Sequence, residues 1–71
     1  MSTTMLTVHH AAPSRKGSRQ FTYGLTPEAA VDQLVSDRFP GALVTFSAHG
    51  TVAYLWRDDR FLADVEIEVI S

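Results

Sequence analysis

Thr4 to His10 alternates Leu6, Val8 and His10 with Met5, Thr7 and His9, the two-residue period of a strand. Ala11 to Ser18 breaks that period with a proline, a glycine and two serines, the composition of a loop. Arg19 to Gly24 resumes it, with Phe21 and Tyr23 on one face and Gln20 and Thr22 on the other. Two strands joined by so short a connection are expected to be antiparallel neighbours. The period then changes. Thr26 suits an N-cap, Pro27 the first helical position and Glu28 the first turn. Ala30, Val31, Leu34 and Val35 recur at helical spacing, while Glu28, Asp32, Ser36 and Asp37 lie off that stripe. Phe39 is the last expected core contact before Pro40-Gly41 stops the helix.

Three more strands follow. Ala42 to Ala48 places Val44, Phe46 and Ala48 on one face, and His49-Gly50 suits a tight turn. Thr51 to Arg57 groups Val52, Tyr54 and Trp56, and Asp58-Asp59 makes the next turn. Phe61 to Ile70 is the clearest alternation, with Ala63, Val65, Ile67 and Val69 against Asp64, Glu66 and Glu68. The order ββαβββ predicts an α+β fold in one domain spanning residues 1–71, a five-stranded antiparallel sheet curled against one α-helix. Parity allows the strand orders 2-1-5-4-3 and 2-1-3-4-5, and either leaves the face away from the helix partly open.

Composition narrows the function classes. Seventy-one residues supply one thin core and little volume for an enclosed substrate pocket. Cysteine is absent, which removes disulfides, thiolate metal sites and cysteine nucleophiles together. No apolar run is long enough to span a membrane, and Met1 to His10 lacks the basic flank and apolar block of a signal peptide. A cytoplasmic protein with no membrane partner is the expectation. His9 and His10 are adjacent in a strand, so their side chains point to opposite faces and cannot share an ion. No Gly-x-Ser-x-Gly elbow and no glycine-rich phosphate cradle occurs. The chain is expected to be no enzyme and to carry no cofactor and no metal.

Charge placement says more than the net charge of −2. Met1 to Arg19 holds Arg15, Lys16 and Arg19 and no acid, whereas Phe61 to Ser71 holds Asp64, Glu66 and Glu68 and no base. The three acids project one way at intervals of about 6.6 Å, twice the rise per residue. That is about the spacing of phosphates along one nucleic-acid strand, which suggests mimicry of nucleic acid, and such a face is also what a half-buried or edge strand turns to water. Phe21, Tyr23, Phe46, Tyr54, Trp56 and Phe61 all fall in strands, where they are expected chiefly to form the core beneath the helix. Stacking of single-stranded nucleic acid is the other use of such rings.

The stretch from Leu25 to Asp64 resembles small phage-encoded anti-CRISPR proteins that inhibit type I, Cascade-type surveillance complexes. The resemblance is carried by Leu25-Thr26-Pro27-Glu28-Ala29-Ala30, by Phe39-Pro40-Gly41 running into a strand, by Gly50-Thr51-Val52-Ala53-Tyr54, and by the acidic turn before a short aromatic strand. The helix departs from the pattern of those inhibitors, which bear basic residues there, by presenting Asp32 and Asp37 with Arg38 alone at its end. The resemblance implies a monomeric, non-catalytic inhibitor acting in the cytoplasm of an infected bacterial host. It would dock on a Cas protein subunit of a guide-RNA-loaded complex and block target-DNA recruitment. A surface that holds nucleic acid is basic, so Asp64, Glu66 and Glu68, with Asp32 and Asp37, are the expected contacts. Arg15, Lys16 and Arg19 would meet acidic side chains or exposed phosphate. Two other readings stand beside it: a small nucleic-acid-binding module, and a structural or accessory protein of a phage or mobile element that associates through a strand edge.

Overall fold

The computed structural model describes residues 3–11 and 18–70. Most of the loop expected between the first two strands, Arg15 and Lys16 with it, lies outside the described residues. The elements are β1 (Thr3–His10), β2 (Arg19–Tyr23), α1 (Pro27–Arg38), β3 (Leu43–Phe46), β4 (Val52–Arg57) and β5 (Arg60–Ile70). They form one five-stranded sheet in the order β2-β1-β5-β4-β3, antiparallel at every pairing. The chain thus takes the first of the two orders that parity allowed. The crossover through α1, β3 and β4 brings β5 back beside β1 over a register running from Thr3↔Ile70 to His10↔Ala63.

The local chemistry sets the ends of α1. Pro27 opens it with the φ a first helical turn needs, and the Thr26 carbonyl accepts from Ala30 N–H at 2.8 Å. Thr26 caps through its backbone alone; its hydroxyl makes no capping bond. At the far end Phe39 N–H donates to the Val35 carbonyl at 2.8 Å. Gly41, at φ +83°, then turns the chain into β3, a conformation that glycine adopts without steric cost.

The core lies between α1 and one face of the sheet. Leu6 and Val8 of β1, Ala53 and Leu55 of β4, and Ala63 and Val65 of β5 meet Ala30, Val31 and Leu34 of α1, all at most 1% exposed. Phe21, Tyr23, Val35, Phe39, Val44, Leu62 and Ile67 pack around them. Thr4 is the one polar side chain buried with this cluster among the described residues. Its hydroxyl donates to the Leu25 carbonyl at 2.7 Å, which ties the β2–α1 connection to β1 and satisfies both groups.

The aromatic residues depart from expectation. Of the six in strands, Phe21 and Tyr23 pack against the core, and Phe46 is exposed on edge strand β3. Tyr54, Trp56 and Phe61 stand on the opposite, open face. The cause is a bulge. Asp58 and Asp59, both at positive φ (52° and 63°), make a two-residue hairpin turn that pairs Arg57 with Arg60 and Trp56 with Phe61. Continued without interruption, that register would set Tyr54 opposite Ala63, on the helix side. Leu62 is instead an extra residue, so Leu55 faces Ala63 and Tyr54 faces Asp64. A slip of one residue exchanges the two faces of β4. Small Ala53 and Ala63 then join the buried cluster that α1 closes with Ala30, Val31 and Leu34.

The β3–β4 connection is also longer than the expected His49-Gly50 turn. It runs from Ser47 to Thr51, with Ser47 N–H donating to the Val52 carbonyl (2.8 Å) and Gly50 N–H to the Ser47 carbonyl (3.0 Å). Gly50 takes φ +70°.

Candidate functional site

The open face of the sheet gathers two chemically different patches. The first comes from the last three strands. The Trp56 and Phe61 ring centroids are 5.3 Å apart, and those of Tyr54 and Phe61 6.4 Å, in the tilted arrangement that aromatic pairs favour. Trp56 and Phe61 are each 38% exposed, and Leu43 on the edge beside Trp56 is 71% exposed. The Trp56 indole donates to Thr45 Oγ1 at 3.3 Å, which fixes the ring against β3. A shallow hollow of about 250 Å³ lies here, bounded by Leu43, Thr45, Trp56, Arg57, Asp58 and Asp59.

The second patch is acidic. Asp64, Glu66 and Glu68 line the same face of β5, flanked by His9, Thr7 and Met5 of β1. Tyr54 and Val52 stand opposite Asp64 and Glu66 on the other side, so the two patches are continuous. A second hollow of about 330 Å³ opens between Thr7, Thr51, Val52, Ile67, Glu66 and Glu68. Glu66 is held by a neighbour: its Oε1 lies 2.7 Å from His9 Nε2. That hydrogen bond raises the His9 pKa above its ordinary value of 6.5, against partial desolvation that lowers it; the charges of Asp64 and Glu66 add to the rise.

The remaining expected contacts lie elsewhere. Asp32 and Asp37 are exposed on α1, on the other side of the sheet from the β5 acids, so the five carboxylates form no common surface. Asp37 is engaged locally, both its oxygens accepting from Gln33 Nε2 at 3.1 and 3.2 Å. Arg19 sits opposite Val8 and so points to the helix side as well. His9 and His10 face opposite ways, His9 to Glu66 and His10 to the Phe39 ring at 5.8 Å. Among the described residues no three His, Cys, Asp or Glu side chains converge on a metal position. No helix among them is long and apolar enough to cross a membrane.

The β5 acids were legible from alternation alone. Tyr54, Trp56 and Phe61 were not, since the bulge that exposes them leaves no mark on the hydrophobic period. What the face offers is contact chemistry: flat rings for desolvated packing beside carboxylates for a basic partner. No protein-family model matches this chain, and no curated protein or solved structure matches it.

Proposed function

We propose that this chain is a non-catalytic binding protein that docks on a basic protein surface through the open face of its sheet. The observation that carries the reading is the continuity of the Tyr54–Trp56–Phe61 cluster with the Asp64, Glu66 and Glu68 row. A few residues carry most of the binding energy at protein interfaces, Trp and Tyr prominent among them, and a charged margin steers the partner and fixes its orientation. The partner, on the resemblance of Leu25 to Asp64, is a Cas protein subunit of a guide-RNA-loaded type I surveillance complex. Occupying the basic path that target DNA must reach would block its recruitment without any bond being made or broken. The test is capture of purified type I complexes by the immobilised protein, with target-DNA binding measured alongside. Tight capture with loss of DNA binding supports the proposal; no capture by any of them overturns the identity of the partner.

One observation favours a second reading, a module for single-stranded nucleic acid. Exposed Trp56 and Phe61 beside half-buried Tyr54 on a sheet face resemble a stacking platform, and Arg57 and Arg60 flank the hairpin that carries the first two. Against it, Tyr54 stands opposite Asp64, so a backbone tracking across the rings would meet the acidic row. Arg57 is also directed away, its guanidinium donating to the Pro40 carbonyl at 2.9 Å. Salt-sensitive binding of the isolated protein to DNA or RNA would favour this reading over the first.

A further inference from the structure

On the helix side of the sheet, where β1 ends, β2 begins and α1 closes, Val8, His10, Arg19, Phe21, Arg38 and Phe39 line a cleft of about 190 Å³. Its walls are apolar and aromatic, and every ionisable side chain in its lining is basic. The Arg38 guanidinium carbon lies 4.9 Å from the centroid of the Phe21 ring, within cation–π range. The His10 and Phe39 rings are 5.8 Å apart. Among the described residues neither Arg19 nor Arg38 has a carboxylate within ion-pair distance, and the nearby Asp37 accepts from Gln33 instead.

The helix end explains part of this. Arg38 lies in the last turn of α1, where a cation complements the partial negative charge of the free carbonyls. That accounts for one guanidinium. It does not account for Arg19, which a different element brings to the same cleft, or for the aromatic walls. We propose that the cleft is a binding site for a small aryl phosphomonoester. The ring would enter the cleft beside Phe39 and Val8, and the phosphate would meet Arg19 and Arg38, the latter seated over the Phe21 ring. A phosphomonoester carries between one and a half and two negative charges near neutrality, which matches two guanidinia better than a carboxylate does. The volume is below the roughly 300 Å³ at which pockets for drug-sized ligands begin, which limits the ligand to about one ring and its phosphate. This site lies on the opposite side of the sheet from the proposed docking face and is independent of it.

The test is a backbone and side-chain NMR titration of the full chain with phenyl phosphate. Inorganic phosphate and benzyl alcohol, each carrying half of the ligand's chemistry, run in parallel. The expected result is saturable shifts centred on Val8, His10, Phe21, Arg38 and Phe39, with either half-ligand binding at least about tenfold more weakly. Arg19→Gln and Arg38→Gln should each weaken phenyl phosphate about tenfold, the loss of one charge-assisted contact. Both side chains are exposed, so the variants should keep the wild-type spectrum away from the cleft. Arg38→Lys, which keeps the charge and loses the planar, forked guanidinium, should fall between. Shifts scattered over the surface, an equal response to inorganic phosphate, or undiminished binding by either Gln variant would overturn the proposal.

Discussion

The two faces of the sheet are built from alternate residues of the same strands, yet they obey different rules. Toward α1, β4 and β5 present Ala53, Leu55, Ala63 and Val65, aliphatic side chains with no exposed surface. Toward solvent the same strands present Tyr54, Trp56, Phe61, Asp64, Glu66 and Glu68, the largest rings and a row of charges. A chain optimised only for folding would place its largest apolar groups where they bury most area. In these two strands they are left half-covered, and the residues under the helix are small and medium side chains, the rings of Phe21 and Tyr23 packing at the β2 margin. The inner face answers to packing. The outer face leaves Trp56 and Phe61 each 38% exposed beside the acidic row, and it is on this clustering that the proposed docking role rests.

Substitutions on the two faces should therefore differ in what they damage. The largest expected effects on stability are Leu34→Ala and Leu55→Ala, each costing about 2–5 kcal/mol through lost burial and a residual cavity. That is a large share of the stability of so short a chain, at roughly 0.05–0.15 kcal/mol per residue. Urea denaturation with both probes of secondary and tertiary structure would measure it. Trp56→Ala and Phe61→Ala remove larger side chains but, being partly exposed and without a covering layer, should cost only about 1 kcal/mol. Equal losses on the two faces would break the comparison. Thr4→Val keeps shape and burial but strands the Leu25 carbonyl, and should cost about 1–2 kcal/mol in the same assay.

The smallest effect concerns pH and belongs to the open face. The Glu66 hydrogen bond, supported by the charges of Asp64 and Glu66, holds the folded-state pKa of His9 above its unfolded value near 6.5. The stabilisation from the pair is thus fully present below the unfolded pKa and is lost as pH rises through the folded one. Both partners are exposed, so the contribution is slight. Its clear signature is the titration of the His9 imidazole by NMR, whose midpoint should lie above 6.5 and fall in Glu66→Gln. As His9 loses its proton the face becomes more negative, so affinity for a basic partner should rise through that same midpoint.

Much of the fold could be read from residue chemistry. Thr26-Pro27-Glu28 and Phe39-Pro40-Gly41 bracket α1, because proline holds φ at the value a first helical turn needs and glycine alone enters the left-handed region without steric cost. The β5 acids were legible because charges leave only one face available to that strand. β4 carried no such marker. Val52, Tyr54 and Trp56 form one apolar phase and Ala53 and Leu55 another, so alternation alone cannot say which faces inward. The decision rests with the extra residue at Leu62, a pairing detail between two strands that neither strand's own pattern records. The Thr4 to Leu25 hydrogen bond was equally hidden, since it joins segments that meet only once the sheet is assembled.

The account stands on the open face being the surface that acts, and reversal of its charge tests that most directly. Asp64→Lys, Glu66→Lys and Glu68→Lys combined in one chain should leave the urea midpoint near wild type, since all three side chains lie on the face that no helix covers. Capture of a type I surveillance complex and the block to its DNA binding should both be lost. A folded triple variant that captures the complex and inhibits it fully would contradict the account.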